Sequence, residues 1–550
     1  MYTLTNPVIN KFSKFFLLLV VAFLVSLSSI EVSHTSETPH YLPIENSTAD
    51  HSRFKILKQE FESGSELTKA CLTCHNLAAK QVHGSTHWNW EFTNKKTDQL
   101  LGKKHVLNNT LISIASNGPY CARCHIGNEW TEESFDFSSE EQVDCLACHD
   151  TTGTYASKKM HQLRARCSAC HVEFDQSLAR EVVQQPDYSE LAQKVGKTSI
   201  ATCGSCHFSS DGGDGVKHGD LDTSLLTANP DIDVHMAKES PGQGYVCTTC
   251  HATRNHLIKG SRYIPTTKDI RGKDVVGGSR ATCESCHGLK PHPQSSNTKL
   301  NDHVDRIACQ TCHIPALARG GRPTKTHWDW STAGRFDEED MDIIKKDAKG
   351  YIVYSSQRGG GQWAENLTPD YVWFNGKVKH LTLKDIIDPS KLVSLNILAG
   401  GPDDLESRIW PVKTLYGRQP MDKKNSTLVA ARLFGKTDDA YWEGFEWKTA
   451  IEAGMKSAGL KFSGEFSFVD TEMQIPINHM VAPAKKALEC ASCHSRNGRM
   501  ADVPGIFMPG RGSSAIVDRF GLLLMATAIV GVAGHGTMRI VMNKRKQRRS

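Results

Sequence analysis

Cys203-Gly-Ser-Cys206-His207-Phe-Ser-Ser-Asp-Gly-Gly-Asp214-Gly-Val-Lys217-His218-Gly-Asp220-Leu-Asp222 joins a Cys-x-x-Cys-His motif to a loop of glycine, aspartate and a single lysine. In such a motif the two thiols can form thioethers with the vinyl groups of a haem, and the histidine can supply one axial nitrogen to its iron. One copy alone could be half a zinc site or a redox dithiol. Here the motif recurs from Cys71, Cys121, Cys145, Cys167, Cys203, Cys247, Cys283, Cys309 and Cys490, and its second thiols are Cys74, Cys124, Cys148, Cys170, Cys206, Cys250, Cys286, Cys312 and Cys493. Those positions use all 18 cysteines. A zinc or disulfide framework has no reason to set a histidine directly after every second cysteine, so the motifs read as c-type haem attachment sites. The proximal ligands are then His75, His125, His149, His171, His207, His251, His287, His313 and His494.

A chain of 550 residues with 39% hydrophobic residues can build a real core, much of it filled by the macrocycles themselves. The formal net charge is only +5 and the basic residues are dispersed outside the terminal Lys544-Arg-Lys-Gln-Arg-Arg549, which excludes nucleic acid as an expected partner. Lys11 and Lys14, the apolar run at residues 15–25 and the serines after it form the layout of a secretory signal over residues 1–30, with an uncleaved anchor as the alternative. A second apolar run at residues 520–542 is long enough to cross a bilayer as a helix, and the basic tail at residues 543–550 would stay on the cytoplasmic side. The body is thus expected on the periplasmic side of a bacterial inner membrane, held by a C-terminal single-pass anchor.

Residues 31–65 are polar and read as a flexible lead-in. Residues 66–330 hold eight motifs spaced 22 to 50 residues apart, too close for each haem to own a domain, so the haems must pack on one another. Residues 331–487 carry no motif and read as a separate subdomain or a wrap around the haems, with an amphipathic helix near residues 442–458. The ninth motif and a linker follow at residues 488–515. One echo is visible, His87-Trp-Asn-Trp90 and His327-Trp-Asp-Trp330, each a candidate iron ligand beside rings that could lie along a haem.

Of the 25 histidines, sixteen stand outside the motifs, and twelve of them are plausible second axial ligands: His51, His83, His87, His105, His161, His218, His235, His256, His292, His303, His327 and His479. That supply allows bis-histidine ligation throughout. It does not by itself mark any haem as catalytic, because a reactive iron needs a weak or absent sixth ligand.

Several stretches together resemble the octahaem tetrathionate reductase family of periplasmic c-type cytochromes, itself similar to hydroxylamine oxidoreductases and multihaem nitrite reductases. They are His87-Trp-x-Trp90, Cys121-x-x-Cys-His-Ile-Gly127, Val143-Asp-Cys-Leu-Ala-Cys-His-Asp-Thr-Thr-Gly-Thr-Tyr155, the Cys203 to Asp222 stretch, Asp233-Val-His-Met236, Cys309-Gln-Thr-Cys-His-Ile-Pro315, Trp328-Asp-Trp-Ser-Thr-Ala-Gly334 and Ile477-Asn-His-Met-Val-Ala-Pro483. The resemblance covers most of residues 66–500. It implies a mainly α fold: a multihaem cytochrome c of short helices and long loops around a packed haem array, here with one C-terminal transmembrane helix. It also implies a reaction centre at the haem of Cys121 and His125, whose iron takes Lys217 in place of a second histidine, with Lys217 and Asp214 managing protons and charge. A lysine can ligate only as the neutral amine. Read from the residues alone, Asp211, Asp214, Asp220 and Asp222 could instead chelate calcium or make tight turns, with Lys217 a solvated loop residue.

Two features depart from the family. The motif at Cys167 is additional to its eight, so nine haems are expected, or eight if that motif is empty. The segment Asn108-Asn-Thr-Leu-Ile112 lacks the free cysteine that the family carries there, which weakens tetrathionate as substrate, since no thiol is left to attack a sulfur-sulfur bond. The expected function is a reductase passing electrons to a small sulfur or nitrogen compound: tetrathionate, nitrite or hydroxylamine. The alternative is an electron conduit in which every iron is bis-histidine ligated. The expected partners are that small-molecule acceptor and a membrane donor, a cytochrome b-like or quinol-oxidising subunit, with a homo-oligomer also open.

Overall fold

The computed structural model describes residues 49–107, 113–118, 124–128, 130, 135–155, 186–209, 212–267, 281–293, 299–506 and 514–548. Cys121, Cys167, Cys170, His171, His161 and Asp211, together with the expected signal segment and residues 108–112, lie outside them.

Among the described residues the motifs sit on very short helices, as expected. Cys247–Cys250, Glu284–His287, Cys309–His313 and Cys490–Cys493 are single turns, and Leu146–His149 is another. Two are longer. Gly64–Leu72 is capped by Ser63, whose hydroxyl accepts from the Glu66 amide, and Ile200–His207 opens on a capping box between Ser199 and Thr202. Each cap satisfies amide donors that a short helix would otherwise leave open. Before the first motif, His51–Arg53 and Lys55–Leu57 form tight 3-10 turns. Leu57 packs with Leu67, Leu146, Tyr155 and Leu191, which ties the lead-in to the first haem region.

Strands are few in the haem-rich part: a hairpin of β1 (Phe92–Asn94) and β2 (Gln99–Leu101), and a small one of β3 (Thr253–Arg254) and β4 (Leu257–Ile258). From Thr324 onward the chain changes character. It forms β5 (Thr324–Asp329), β6 (Ile344–Lys346), β7 (Ile352–Ser355), β8 (Gly359–Ala364), β9 (Asp370–Phe374), β10 (Val378–His380), β11 (Val393–Ser394), β12 (Asn396–Leu398), β13 (Arg408–Asp422), β14 (Thr427–Leu428) and β15 (Phe466–Pro476). Nine of these make one sheet in the order β11-β15-β13-β5-β8-β7-β6, with β9 and β14 also on β13. The long antiparallel pair β13 and β15 is its spine, registering Val412 with Pro476 through Asp422 with Phe466, and β5 lies parallel to β13. Strand β10 pairs separately with β12. This sheet was not anticipated from the sequence. The expected short helices are present beside it, and the sheet is what the motif-free stretch adds.

Against the sheet packs the helix Trp447–Ser457, with Trp447, Ala450, Ile451, Gly454 and Met455 buried at helical spacing. Gly454 allows the approach: a Cβ there would lie 2.0 Å from the Ala430 carbonyl oxygen. The core around it includes Trp328, Trp330, Tyr441, Val469 and Met473. The tryptophans of the second echo therefore stack on each other, 5.1 Å apart, inside this core. The final helix, Ala515–Gln547, has a span with mean hydropathy 1.9 and none of it buried, long and apolar enough to cross a membrane.

Candidate functional site

Histidines from distant parts of the chain meet in pairs. His51 and His75 have ring centres 6.3 Å apart, His87 and His207 6.2 Å, His149 and His256 6.4 Å, and His235 and His287 6.0 Å. His251 and His479 are 6.2 Å apart, His292 and His313 6.3 Å, and His303 and His494 6.1 Å. Every pair joins one motif histidine to one from outside. Two imidazoles on opposite sides of one metal, each nitrogen about 2 Å from it, place their ring centres roughly 6 Å apart. The pairs therefore fit a haem iron between each two rings.

The hydrogen bonds agree. The Nδ1 atoms of His149, His251, His256 and His303 lie 2.8–2.9 Å from oxygens of Gly196, Lys259, Gln81 and Lys299. Those of His292 and His479 lie 3.2 Å from Asn301 and Asp220. An oxygen acceptor at Nδ1 fixes the proton there and leaves the Nε2 lone pair for a metal. Asp220 also receives the amides of Asn478 and His479, and Asp233 receives those of His235, Met236 and Val481. These two buried carboxylates thus orient the segments that carry two outer histidines.

Thiols of different motifs touch as well. Cys71 lies close to Cys145, Cys203 to Cys247, and Cys283 to Cys309. Cys250 lies near Cys283, and Cys312 near Cys490 and Cys493. The helix carrying His149 packs on the one carrying His207. The motifs accordingly line up as Cys71, Cys145, Cys203, Cys247, Cys283, Cys309 and Cys490, each next to the one before it.

The loop of Lys217 is built on glycine. Gly212, Gly213 and Gly215 have φ of 136°, 127° and 68°, a region that side chains disfavour, and the Gly215 amide donates to the Phe208 carbonyl. Lys413 on β13, fully buried, donates through Nζ to the carbonyls of Val216 at 2.8 Å and Lys217 at 2.9 Å. Thr324 donates to the Gly215 carbonyl at 2.8 Å. The sheet therefore grips this loop by its backbone. Lys217 itself is 6% exposed. Its charge and those of its neighbours act on the surroundings: burial and Lys217 push His218 down, and burial with Arg262 and Lys217 pushes His380 to about 3. Burial also lowers Lys413 to about 7, against the pull of Asp220.

Other expected site residues stand elsewhere. Asp214 accepts from the amide and hydroxyl of Thr223 and pairs with Arg322 at 3.5 Å, and Asp222 caps a turn through the Ser224 amide. Among the described residues no group of three or more histidine, cysteine or acidic side chains is placed to hold a metal ion such as calcium. His218 and His327 belong to none of the seven pairs. His218 is packed beside Lys217 and Asp220, and His327 lies on β5 opposite Gln362. His125 lies in a box of Trp88, Trp90, Trp130, Phe135 and Phe137 with ring centres 4.7–5.6 Å away, and its Nε2 meets the Trp88 carbonyl at 2.8 Å. Tryptophans of the first echo thus surround a motif histidine, as its composition suggests. Two residues escaped the sequence reading. His380 stands alone in the motif-free stretch, and Arg262 carried no signal.

Comparison with known proteins accounts for this arrangement. The octaheme cytochrome c of Shewanella oneidensis, solved by crystallography, superposes with a TM-score of 0.69 at 36% identity over 84% of this chain and 97% of its own. The chain belongs to the octahaem cytochromes c. Residues 325–497 of this cytochrome match a family model described as "Cytochrome c bacterial". An uncharacterized protein of Archaeoglobus fulgidus is 26% identical over 307 residues, 48% of this cytochrome and 97% of that protein. Covalently bound c-type haem and electron transfer are therefore the chemistry of this chain, which places it broadly among redox proteins.

Proposed function

We propose that this cytochrome is a periplasmic, membrane-anchored terminal reductase whose reaction centre is the Cys121 to His125 motif with Lys217 as the sixth ligand. All nine motifs carry haem, the seven described imidazole pairs are bis-histidine sites, and electrons arrive from a cytochrome b-like or quinol-oxidising membrane subunit. When bound, the haems supply one-electron transfer along the array and an iron at which substrate can be reduced. The acceptor is a small sulfur or nitrogen compound, with nitrite and hydroxylamine favoured over tetrathionate because the chain has no thiol outside its motifs.

The observation that carries this reading is a buried lysine on a glycine loop clamped from behind. Lys413 and Thr324 hold the backbone at residues 215–217. The Lys217 amine is thereby carried on a buried, fixed backbone, and it is as the neutral amine that it would ligate. For His125 to serve as the proximal ligand, its Nε2 must give up the Trp88 carbonyl. Asp214, tied to Thr223 and Arg322, positions the loop rather than moving protons.

Lys217→Leu tests the proposal. It is expected to open one sixth position, giving a new high-spin signal worth one haem with the others unchanged, and to alter turnover of nitrite or hydroxylamine. An unchanged spectrum overturns it. The second reading, a conduit without catalysis, is favoured by the seven imidazole pairs. It requires complete inertness toward carbon monoxide, nitrite and hydroxylamine.

A further inference from the structure

His380 is 2% exposed, and neither of its ring nitrogens has a hydrogen-bond partner. That is an expensive arrangement, because a buried polar atom left unmade costs roughly 1–3 kcal/mol. The strand does not leave it there by slack. Gln99 brackets the His380 backbone, accepting from its amide at 3.1 Å and donating to its carbonyl at 2.7 Å, and β10 pairs His380 with Asn396 on β12. The ring is therefore presented by a fixed backbone.

It faces a second incomplete group. Tyr263 lies 5.1 Å from the His380 ring, and the Arg262 guanidinium sits 4.8 Å above the Tyr263 ring. The Arg262 Nε is buried and also lacks a partner. Tyr263 is itself held, with its carbonyl receiving Asn94 at 3.2 Å and its ring against Phe92 on β1 at 5.6 Å. Lys217 acts on the same imidazole as Arg262 does. Three separate stretches thus bring a neutral imidazole, a guanidinium and an amine together.

We infer that His380 and Arg262 form the binding site for a small oxoanion beside Lys217, with Tyr263 as the platform that holds the guanidinium. An oxoanion offers only acceptors, and it would take the Arg262 Nε–H and one His380 N–H, the donors that now lack partners. The fixed positive charge of the Arg262 guanidinium favours an anion over a neutral ligand of equal size. The inference rests on the proposed reaction centre and names its substrate class, which selects nitrite over hydroxylamine.

The test is direct binding, measured by calorimetry of sodium nitrite into the oxidised, fully haem-loaded protein. Wild-type protein is expected to bind one nitrite per chain. His380→Phe, which fills the space without a polar atom, and Arg262→Gln are expected to weaken binding roughly ten- to a hundredfold each. His380→Gln, which keeps a donor, recovers most of the loss. Haem content by mass and the low-spin spectrum are expected to stay at wild-type values in all three, which a general structural defect would not allow. Wild-type affinity in His380→Phe and Arg262→Gln overturns the inference, as does a wild-type protein that binds no nitrite. If Lys217→Leu leaves the spectrum unchanged while Arg262→Gln still loses nitrite, the anion site stands and the lysine-ligated centre falls.

Discussion

Single histidines separate what spacing can reveal from what it cannot. The histidine of each motif is legible, because the motif fixes it within four residues of its first thiol. The outer histidines that face them were not, since His479 meets His251 and His303 meets His494 across long stretches of chain, and no local pattern records such contacts. A surplus of histidines left that pairing open. His51 shows the limit best: its surroundings read as a polar lead-in, yet a 3-10 turn and the burial of Leu57 bring it opposite His75. His51→Ala is expected to convert one low-spin haem to high spin while haem content by mass stays at wild type. His327→Ala is expected to leave the low-spin spectrum unchanged, since its ring faces no motif histidine among the described residues.

Elements without motifs were the least legible. Strand β15 does alternate, with Val469, Thr471, Met473 and Ile475 buried between more open residues, and this period is written in its sequence. Strand β13 is buried on both sides along most of its length and shows no such alternation, so its place at the centre of a sheet could not be read. The end of the β13 and β15 pair depends on Asp422, whose carboxylate accepts from the amides of Lys424, Asn425 and Ser463. Burial alone would raise its pKa, but the hydrogen bonds from Ser463 and Asn425 outweigh that and hold it below the ordinary 3.8. A lowered carboxylate stabilises the fold above its unfolded value and loses that contribution as pH falls through the native one. Asp422→Ala is therefore expected to cost about 2 kcal/mol at neutral pH and to flatten acid unfolding below pH 4, measured by denaturant titration at several pH values. Gly454→Ala is expected to destabilise by roughly 1–3 kcal/mol, read from the denaturation midpoint, because its methyl group would strike the Ala430 carbonyl.

At the scale of the whole molecule, the number of haems and the anchor are open to direct measurement. The mature mass is expected to show nine covalent haems, and eight would leave the Cys167 motif empty. Removing residues 514–548 is expected to release the protein from membranes without detergent, with its spectrum intact. If the truncated protein still takes electrons from quinol as the full chain does, the helix is a tether and no part of the donor site. The contacts between thiols of different motifs also bear on how the chain is made. Cys71 with Cys145, Cys203 with Cys247, and Cys283 with Cys309 are adjacent once the chain is folded, although far apart along it. In an oxidising compartment such as the proposed periplasm, bare thiols that meet in this way are prone to oxidise to each other, and each such bond would consume attachment points of two haems at once. Ligation of the thiols must therefore precede collapse of the chain, so the assembly machinery has to work on an open polypeptide, and the order of attachment becomes a safeguard against cross-linking.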